Sequence, residues 1–263
     1  MRKGVYILPN LVTSGGLFCG FFSVVATIRE NYLLAAIAIL VALVFDALDG
    51  RIARLTKTSS QFVVEYDSLS DVIAFGVAPG VLAYRWALEP WGAWGWLAAS
   101  LYVICGALRL ARFNVQISLV SKKSFVGLPI PAAAAVVATT ILMYFFLGGE
   151  GATNKHITLL LLIYVLAGLM VSSIPYYSFK EIHFYNRQPF WTLLVGIIIL
   201  QLTIAEPQIM LFSIFSSYAA SGPVWAVVRF FRKGETDENE DLSDVIDTPH
   251  PLRSLDTEEE SSL

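Results

Sequence analysis

The sequence predicts an all-α polytopic membrane protein. Three observations carry that prediction: a composition too apolar for a soluble chain, eight apolar stretches of near-spanning length, and basic residues crowded onto alternate loops. Of 263 residues, 56% are apolar and only 15% charged, with a mean hydropathy of +0.64. Soluble domains carry about 25% charge. A hydrocarbon layer ~30 Å thick is crossed by about 20 apolar residues in a helix, which satisfies its own backbone polar groups.

The first stretch covers residues 10 to 28 and follows Met1-Arg2-Lys3. Pro9 and Asn10 stand at its start and no small-residue cleavage site precedes Arg29, so it reads as a retained span rather than a signal peptide. The next stretches run over 33 to 55, 66 to 85, 93 to 112, 129 to 147 and 156 to 174. A short seventh, 190 to 204, and an eighth, 208 to 230, complete the set. If all eight cross with the N-terminus inside, fifteen of the eighteen Lys and Arg residues fall on the cytoplasmic side, and only Arg29, Arg85 and Lys155 fall outside. Such a bias predicts an even number of spans with both termini cytoplasmic.

From Gly234 onward the chain changes character, because eleven of its twenty-one acidic residues lie between Glu235 and the C-terminus. Residues 234 to 263 hold too few apolar side chains to offset the entropy of ordering and are expected to form a disordered cytoplasmic tail. Cys19 and Cys105 each stand alone within an apolar stretch, without the spacing of a disulfide or zinc site. They read as small packing residues. Nothing in the chain suggests a nucleic-acid surface.

The chemistry concentrates in one window. Outside the tail only ten acidic residues occur, and four of them are Asp46, Asp49, Asp67 and Asp71, near the end of the second stretch and the start of the third. A carboxylate at membrane depth costs at least ~2.5 kcal/mol on insertion scales, so such groups mark function. The i,i+3 spacing places Asp46 and Asp49 on one helical face, and i,i+4 does the same for Asp67 and Asp71. Two such faces turned together form a cage of like charges that needs a cation between them. Oxygen donors of this kind suit Mg²⁺, Mn²⁺ or Ca²⁺. Gly50 and Ala53 continue the first face with almost no side chain, and Arg54 offers a planar fork for phosphate. Carboxylates, a small-residue notch and an arginine together describe a metal-dependent diphosphate site.

The pattern Asp46-x2-Asp49-Gly50-x2-Ala53-Arg54 with Asp67-x3-Asp71 downstream resembles the signature of the CDP-alcohol phosphotransferases, with Val63 standing where that family has a glycine. Further segments resemble the branch that transfers phosphatidyl groups to serine: Leu8 to Thr13, Gly106 to Asn114, Phe125 to Pro131 and Tyr176 to Lys180. Pro175 departs from the basic residue expected there.

The resemblance implies a catalytic six-helix core over residues 1 to 185, two further transmembrane helices over 186 to 233, and a homodimer whose sites open to the cytoplasm. It implies two Mg²⁺ or Mn²⁺ ions held by Asp46, Asp49, Asp67 and Asp71, with Asp71 also the general base. Gly50, Ala53, Arg54, Ser60, Asn10 and Thr13 are expected to hold the CDP-lipid, and Arg109, Arg112 or Lys180 the acceptor. The implied substrates are CDP-diacylglycerol and L-serine, and the products phosphatidylserine and CMP. Glycerol 3-phosphate or an inositol phosphate are alternative acceptors. An intramembrane prenyltransferase would lack the Gly50-x2-Ala53-Arg54 element, and an ion transporter would place its carboxylates nearer mid-bilayer.

Overall fold

The computed structural model describes residues 7–56, 61–119, 125–153, 155–176, 194, 196–197, 201–202 and 204–246. It is an all-α polytopic membrane protein. Its helices are α1 (Ile7–Ile28), α2 (Tyr32–Thr56), α3 (Gln61–Trp91), α4 (Ala93–Leu119), α5 (Ile130–Phe146), α6 (Ile157–Val171) and α7 (Pro207–Ile246). Five of them, α1 to α4 and α7, are long and apolar enough to cross a membrane. The expected fifth and sixth spans are apolar but shorter, at 17 and 15 residues, or about 25 and 22 Å of helix. The seventh stretch lies mostly outside the described residues.

Three helices outrun their apolar stretches. The third begins in the polar run at Gln61 and continues to Trp91, and the fourth passes Arg112 to reach Leu119. Helix α7 likewise continues past Gly234 to Ile246, where the composition predicts disorder. The physical reason is local: between Glu235 and Ile246 no Gly or Pro interrupts the chain, and Glu and Leu favour helix even where there is no core to bury. Residues 247–263 lie outside the described residues. By its contacts the chain divides into two units, Met1–Gly222 and Pro223–Leu263.

Small side chains set how closely the helices approach, as expected where lipid offers no hydrophobic drive between them. On α1, Thr13, Gly16, Gly20, Ser23 and Thr27 recur at three- and four-residue steps and are all buried. A Cβ added at Gly20 would lie 2.6 Å from the Ala74 Cα, so α1 and α3 touch backbone to backbone there. Ala35 and Ala36 of α2 and Ala133, Ala134, Ala135 and Ala138 of α5 are likewise sealed inside.

Three prolines break helical bonding, and each time a carbonyl in the preceding turn gains a distant donor. A proline has no N–H to return to residue i−4, and an unpaired carbonyl in hydrocarbon is costly. Four residues before Pro79, the Phe75 carbonyl accepts from Tyr102 Oη at 3.2 Å. Before Pro90, the Trp86 carbonyl accepts from the Thr153 amide at 2.9 Å. Before Pro223, the Ala219 carbonyl accepts from Tyr176 Oη at 3.1 Å. The first two breaks coincide with π-helical turns in α3, Val72–Val77 and Tyr84–Leu88.

The residues assigned outside by charge gather at one end of the bundle. Arg85 pairs with Glu89 at 2.8 Å and reaches Glu30 at 3.5 Å, while Lys155 sits over the Trp91 ring at 4.5 Å. The four aspartates lie toward the other end. There, strands β1 (Phe125–Val126) and β2 (Pro175–Tyr176) pair antiparallel, Phe125 opposite Tyr176. Gly127 follows at φ +82°, its N–H bonded to the Ile174 carbonyl at 2.9 Å. A Cβ there would run into the Met170 carbonyl, so only glycine admits this approach of the chain to the end of α6.

Candidate metal and phosphate site

The last turns of α2 and the first turns of α3 bring Asp46, Asp49 and Asp67 together. One carboxylate oxygen from each lies within 4.8 Å of the other two. Ligands of a single ion at metal–oxygen distances of ~2.0–2.6 Å are at most about 4 to 5 Å apart, so this spacing fits one cation among the three. Asp71, one turn beyond Asp67, is outside that trio but close enough to feel the charge of Asp46, Asp67 and Asp49. Among the described residues none of the four forms an ion pair with a Lys or Arg. Carboxylates with hard oxygen donors and, among the described residues, no ion pair to a Lys or Arg suit a divalent metal.

Helix α1 contributes none of these carboxylates, but it orients them. Thr13, 3% exposed, places Oγ1 2.9 Å from Asp49 Oδ2 and 3.1 Å from the Pro9 carbonyl. The Thr13 carbonyl accepts from Ser70 Oγ at 3.3 Å, tying α1 to the turn between Asp67 and Asp71. Ser14 Oγ donates to the Asn10 carbonyl at 2.7 Å, which leaves it to accept from Tyr66 Oη at 2.8 Å. From the other side, Asn114 of α4 donates to Ser68 Oγ at 2.8 Å, and Ser68 donates to the Val64 carbonyl at 2.9 Å. The start of α3 is thereby held on two sides.

Two buried polar atoms near this network have no partner among the described residues: Asn10 Oδ1 and Arg109 Nε. Leaving such groups unpaired costs about 1–3 kcal/mol each, so each is suited to a ligand that completes it. Arg109 is 8% exposed, lies 5.6 Å from the Phe113 ring centre, and shares an electrostatic environment with Asp71 and Tyr218. Arg112, one turn on, is exposed. A Cβ added at Gly50 would meet nothing within 4 Å, so the notch beside Asp49 is open. Ala53 and Arg54 continue α2 as helix, but their side chains, with Ser60 and Lys180, lie outside the described residues. Val63 is buried on α3, so the valine in the place of the family's glycine is packed rather than exposed.

Of the sequence-named residues, the structure gathers Asp46, Asp49, Asp67, Asp71 and Thr13, with Asn10 on the same helix as Thr13. The sequence reading passed over Ser14, Tyr66, Ser68 and Ser70. The last three lie within or beside the Asp67 to Asp71 window, and a hydroxyl at each of these positions in an otherwise apolar chain was the available signal. Tyr218 was also missed, for the opposite reason: it stands far along the chain in a plain apolar stretch.

Comparison with known proteins gives a consistent result. The profile of the CDP-alcohol phosphatidyltransferase family matches residues 6–174. Over 179 residues, 68% of this chain and 75% of the relative, the sequence is 42% identical to a Helicobacter pylori protein named CDP-diacylglycerol–serine O-phosphatidyltransferase. A Bacillus subtilis protein of the same name is 34% identical over 174 residues, 66% of this chain and 92% of its own length. An archaetidylserine synthase of Methanothermobacter thermautotrophicus is 42% identical over 128 residues, 48% of this chain and 54% of its own.

Proposed function

We propose that this chain, which belongs to the CDP-alcohol phosphatidyltransferase family, transfers the phosphatidyl group of CDP-diacylglycerol to the hydroxyl of L-serine, giving phosphatidylserine and CMP. The observation that carries the reading is the convergence of Asp46, Asp49 and Asp67, with Asp71 beside them, inside the family-matched region. The choice of serine is supported by the relatives' names, all three of which contain it.

In this reading Asp46, Asp49, Asp67 and Asp71 hold two Mg²⁺ or Mn²⁺ ions, with Thr13 fixing the Asp49 carboxylate. Divalent cations held by these carboxylates would supply Lewis-acid polarisation of the diphosphate and offset charge on the departing CMP. Asn10, Gly50, Ala53, Arg54 and Ser60 line the donor side: the open notch at Gly50 admits the CDP group, and the arginine pairs with phosphate. Serine approaches from the Arg109 side, where its carboxylate meets the buried guanidinium. As the serine oxygen forms its bond to phosphorus and the bond from phosphorus to the CMP oxygen breaks, the hydroxyl proton passes to the Asp71 carboxylate. The transfer is mainly positioning and electrostatics, and it needs no covalent intermediate on the protein. Residues 1 to 185 form the catalytic core in this reading, both termini and the site face the cytoplasm, and the working unit is a homodimer.

The test is CMP release by the purified protein in detergent with CDP-diacylglycerol and Mn²⁺ or Mg²⁺, comparing L-serine, glycerol 3-phosphate, inositol 1-phosphate and no acceptor. Metal-dependent release that requires serine, with phosphatidylserine as the lipid product, is the expected result. Release with a different alcohol overturns the acceptor, and no metal-dependent release with any alcohol overturns the reaction.

A further inference from the structure

Asp67 and Asp71 lie within the first three turns of α3, which begins at Gln61. Backbone hydrogen bonds hold a helix together but do not stop it turning about its own axis. A turn of α3 by one residue, about 100°, would swing Asp67 away from Asp46 and Asp49. The hydrogen bonds made by the residues on either side of Asp67 bear directly on that rotation.

Viewed down α3 with Asp67 at zero, Tyr66 stands about 100° to one side and Ser68 about 100° to the other. On the same wheel Ser70 lies about 60° toward Tyr66, and Asp71 about 40° toward Ser68. The partners follow this layout. On the first flank both tethers run to α1: Tyr66 Oη lies 2.8 Å from Ser14 Oγ, and Ser70 Oγ donates to the Thr13 carbonyl at 3.3 Å. Ser14 gives its proton to the Asn10 carbonyl at 2.7 Å, so the phenol is the donor. The Tyr66 ring is itself steadied one turn back by Phe62, its centre 6.1 Å away and its plane within 5° of parallel. On the opposite flank the tether runs to α4, where Asn114 Nδ2 donates to Ser68 Oγ at 2.8 Å. Residues about 200° apart on the wheel are thus tied to different helices, and both carboxylates occupy the arc between them. In that arc a carboxylate oxygen of Asp67 comes within 4.8 Å of those of Asp46 and Asp49.

We infer that Tyr66 and Asn114 are positioning residues that together fix the rotation of α3, and through it the direction in which Asp67 presents its carboxylate to a metal shared with Asp46 and Asp49. This assignment rests on the reading of Asp67 as a metal ligand. Either tether alone leaves α3 a pivot, and the two on opposite flanks remove it. Asn114 therefore acts on metal geometry, although it lies on the helix that carries Arg109.

The experiment uses the full-length protein in detergent carrying Tyr66→Phe, Asn114→Ala or both. Mn²⁺ binding is followed without turnover, as the rise in melting midpoint on adding Mn²⁺ alone, and again as the Mn²⁺ dependence of CMP release. The kcat and the acceptor KM are measured at saturating Mn²⁺. One hydrogen bond accounts for roughly a three- to tenfold change in an equilibrium, so each single variant should need about three- to tenfold more Mn²⁺. The double variant should need more than the product of the two factors, as residues sharing one constraint do. The kcat and the acceptor KM should stay within about twofold of wild type. Ser14→Ala removes the phenol's acceptor and should reproduce Tyr66→Phe, while Ser68→Ala should reproduce Asn114→Ala. These two decide the matter where a first variant does not fold.

A lower metal-free melting midpoint with an unchanged Mn²⁺ requirement would make the tethers structural only and overturn the inference. A double variant equal to the product of the singles would overturn the joint lock. A raised acceptor KM in Asn114→Ala with an unchanged Mn²⁺ requirement would place Asn114 on the acceptor and overturn it as well. If the wild type gains no stability from Mn²⁺ and releases no CMP with it, the metal reading fails and the inference falls with it. If the wild type responds to Mn²⁺ and the variants match it, the inference alone fails.

Discussion

Thr13→Val isolates one hydrogen bond. Valine keeps the shape of threonine and replaces its hydroxyl with a methyl group, so the variant removes the 2.9 Å contact to Asp49 Oδ2 from a site that is 3% exposed. A hydrogen bond to a charged group contributes about 1.5–3 kcal/mol. The lower part of that range applies, because Oγ1 has a second acceptor 3.1 Å away in the Pro9 carbonyl and its single proton is divided between the two. A loss of about 1.5–2 kcal/mol corresponds to roughly a 10- to 30-fold weaker apparent metal affinity, within the range usual for partners that orient a metal ligand. The assay is CMP release titrated with Mn²⁺ at saturating CDP-diacylglycerol and acceptor. The expected result is a rightward shift of the metal curve with most of the kcat recovered at high metal, and Thr13→Ser should restore the wild-type curve. A Thr13→Val curve that overlays the wild type would refute the claim that α1 orients Asp49.

Three further outcomes are expected. Asp71→Asn retains the shape of the side chain but cannot take the acceptor's proton, so kcat should fall by about 10²- to 10⁴-fold while binding of CDP-diacylglycerol persists; near-normal turnover would remove Asp71 as the base. Gly20→Ala forces a methyl group against the Ala74 backbone and should destabilise the protein by about 1–3 kcal/mol, read as a lower melting midpoint in detergent; an unchanged midpoint would mean that the α1–α3 contact is looser than it stands. Val63→Gly removes a buried side chain from a helix and should cost about 2–4 kcal/mol, yet turnover of the surviving protein should persist, because the family carries glycine there; loss of activity without loss of stability would point to a direct role for Val63.

The aspartates were legible because membrane proteins penalise charge so heavily that any cluster of it is informative, and because helical spacing alone predicts which carboxylates share a face. The spacing accounts for Asp46 and Asp49 sharing a face, while the approach of Asp67 to within 4.8 Å of both is set by how α2 and α3 pack. Thr13 could be named from the segment Leu8 to Thr13, but that its partner is Asp49 depends on how α1 crosses α2, which no local pattern encodes. The breaks in α3 were legible only in part. Pro79 and Pro90 announce that a carbonyl is freed, whereas Tyr102 and Thr153 as the donors are set by packing at long range. The acidic run after Gly234 speaks to packing more than to local helix. Absence of a hydrophobic core argues against tertiary structure, but it does not stop a helix already under way, and α7 simply continues to Ile246.

The arrangement also explains why a helix without a single acidic residue belongs to the candidate metal site. Like-charged carboxylates on α2 and α3 repel one another, so the two helices would splay at this end unless another element held them. Helix α1 does so through both its faces of contact: the Thr13 hydroxyl reaches Asp49 of α2, while the Thr13 carbonyl accepts from Ser70 of α3. Two turns further along the same buried stripe, Gly20 lets α1 and α3 meet backbone to backbone. One residue therefore bridges both ligand-bearing helices, and a side-chain-free contact two turns away fixes its height. Since a metal site tolerates errors of only a few tenths of an ångström in its ligands, the small residues of α1 bear on the chemistry as directly as the carboxylates they align.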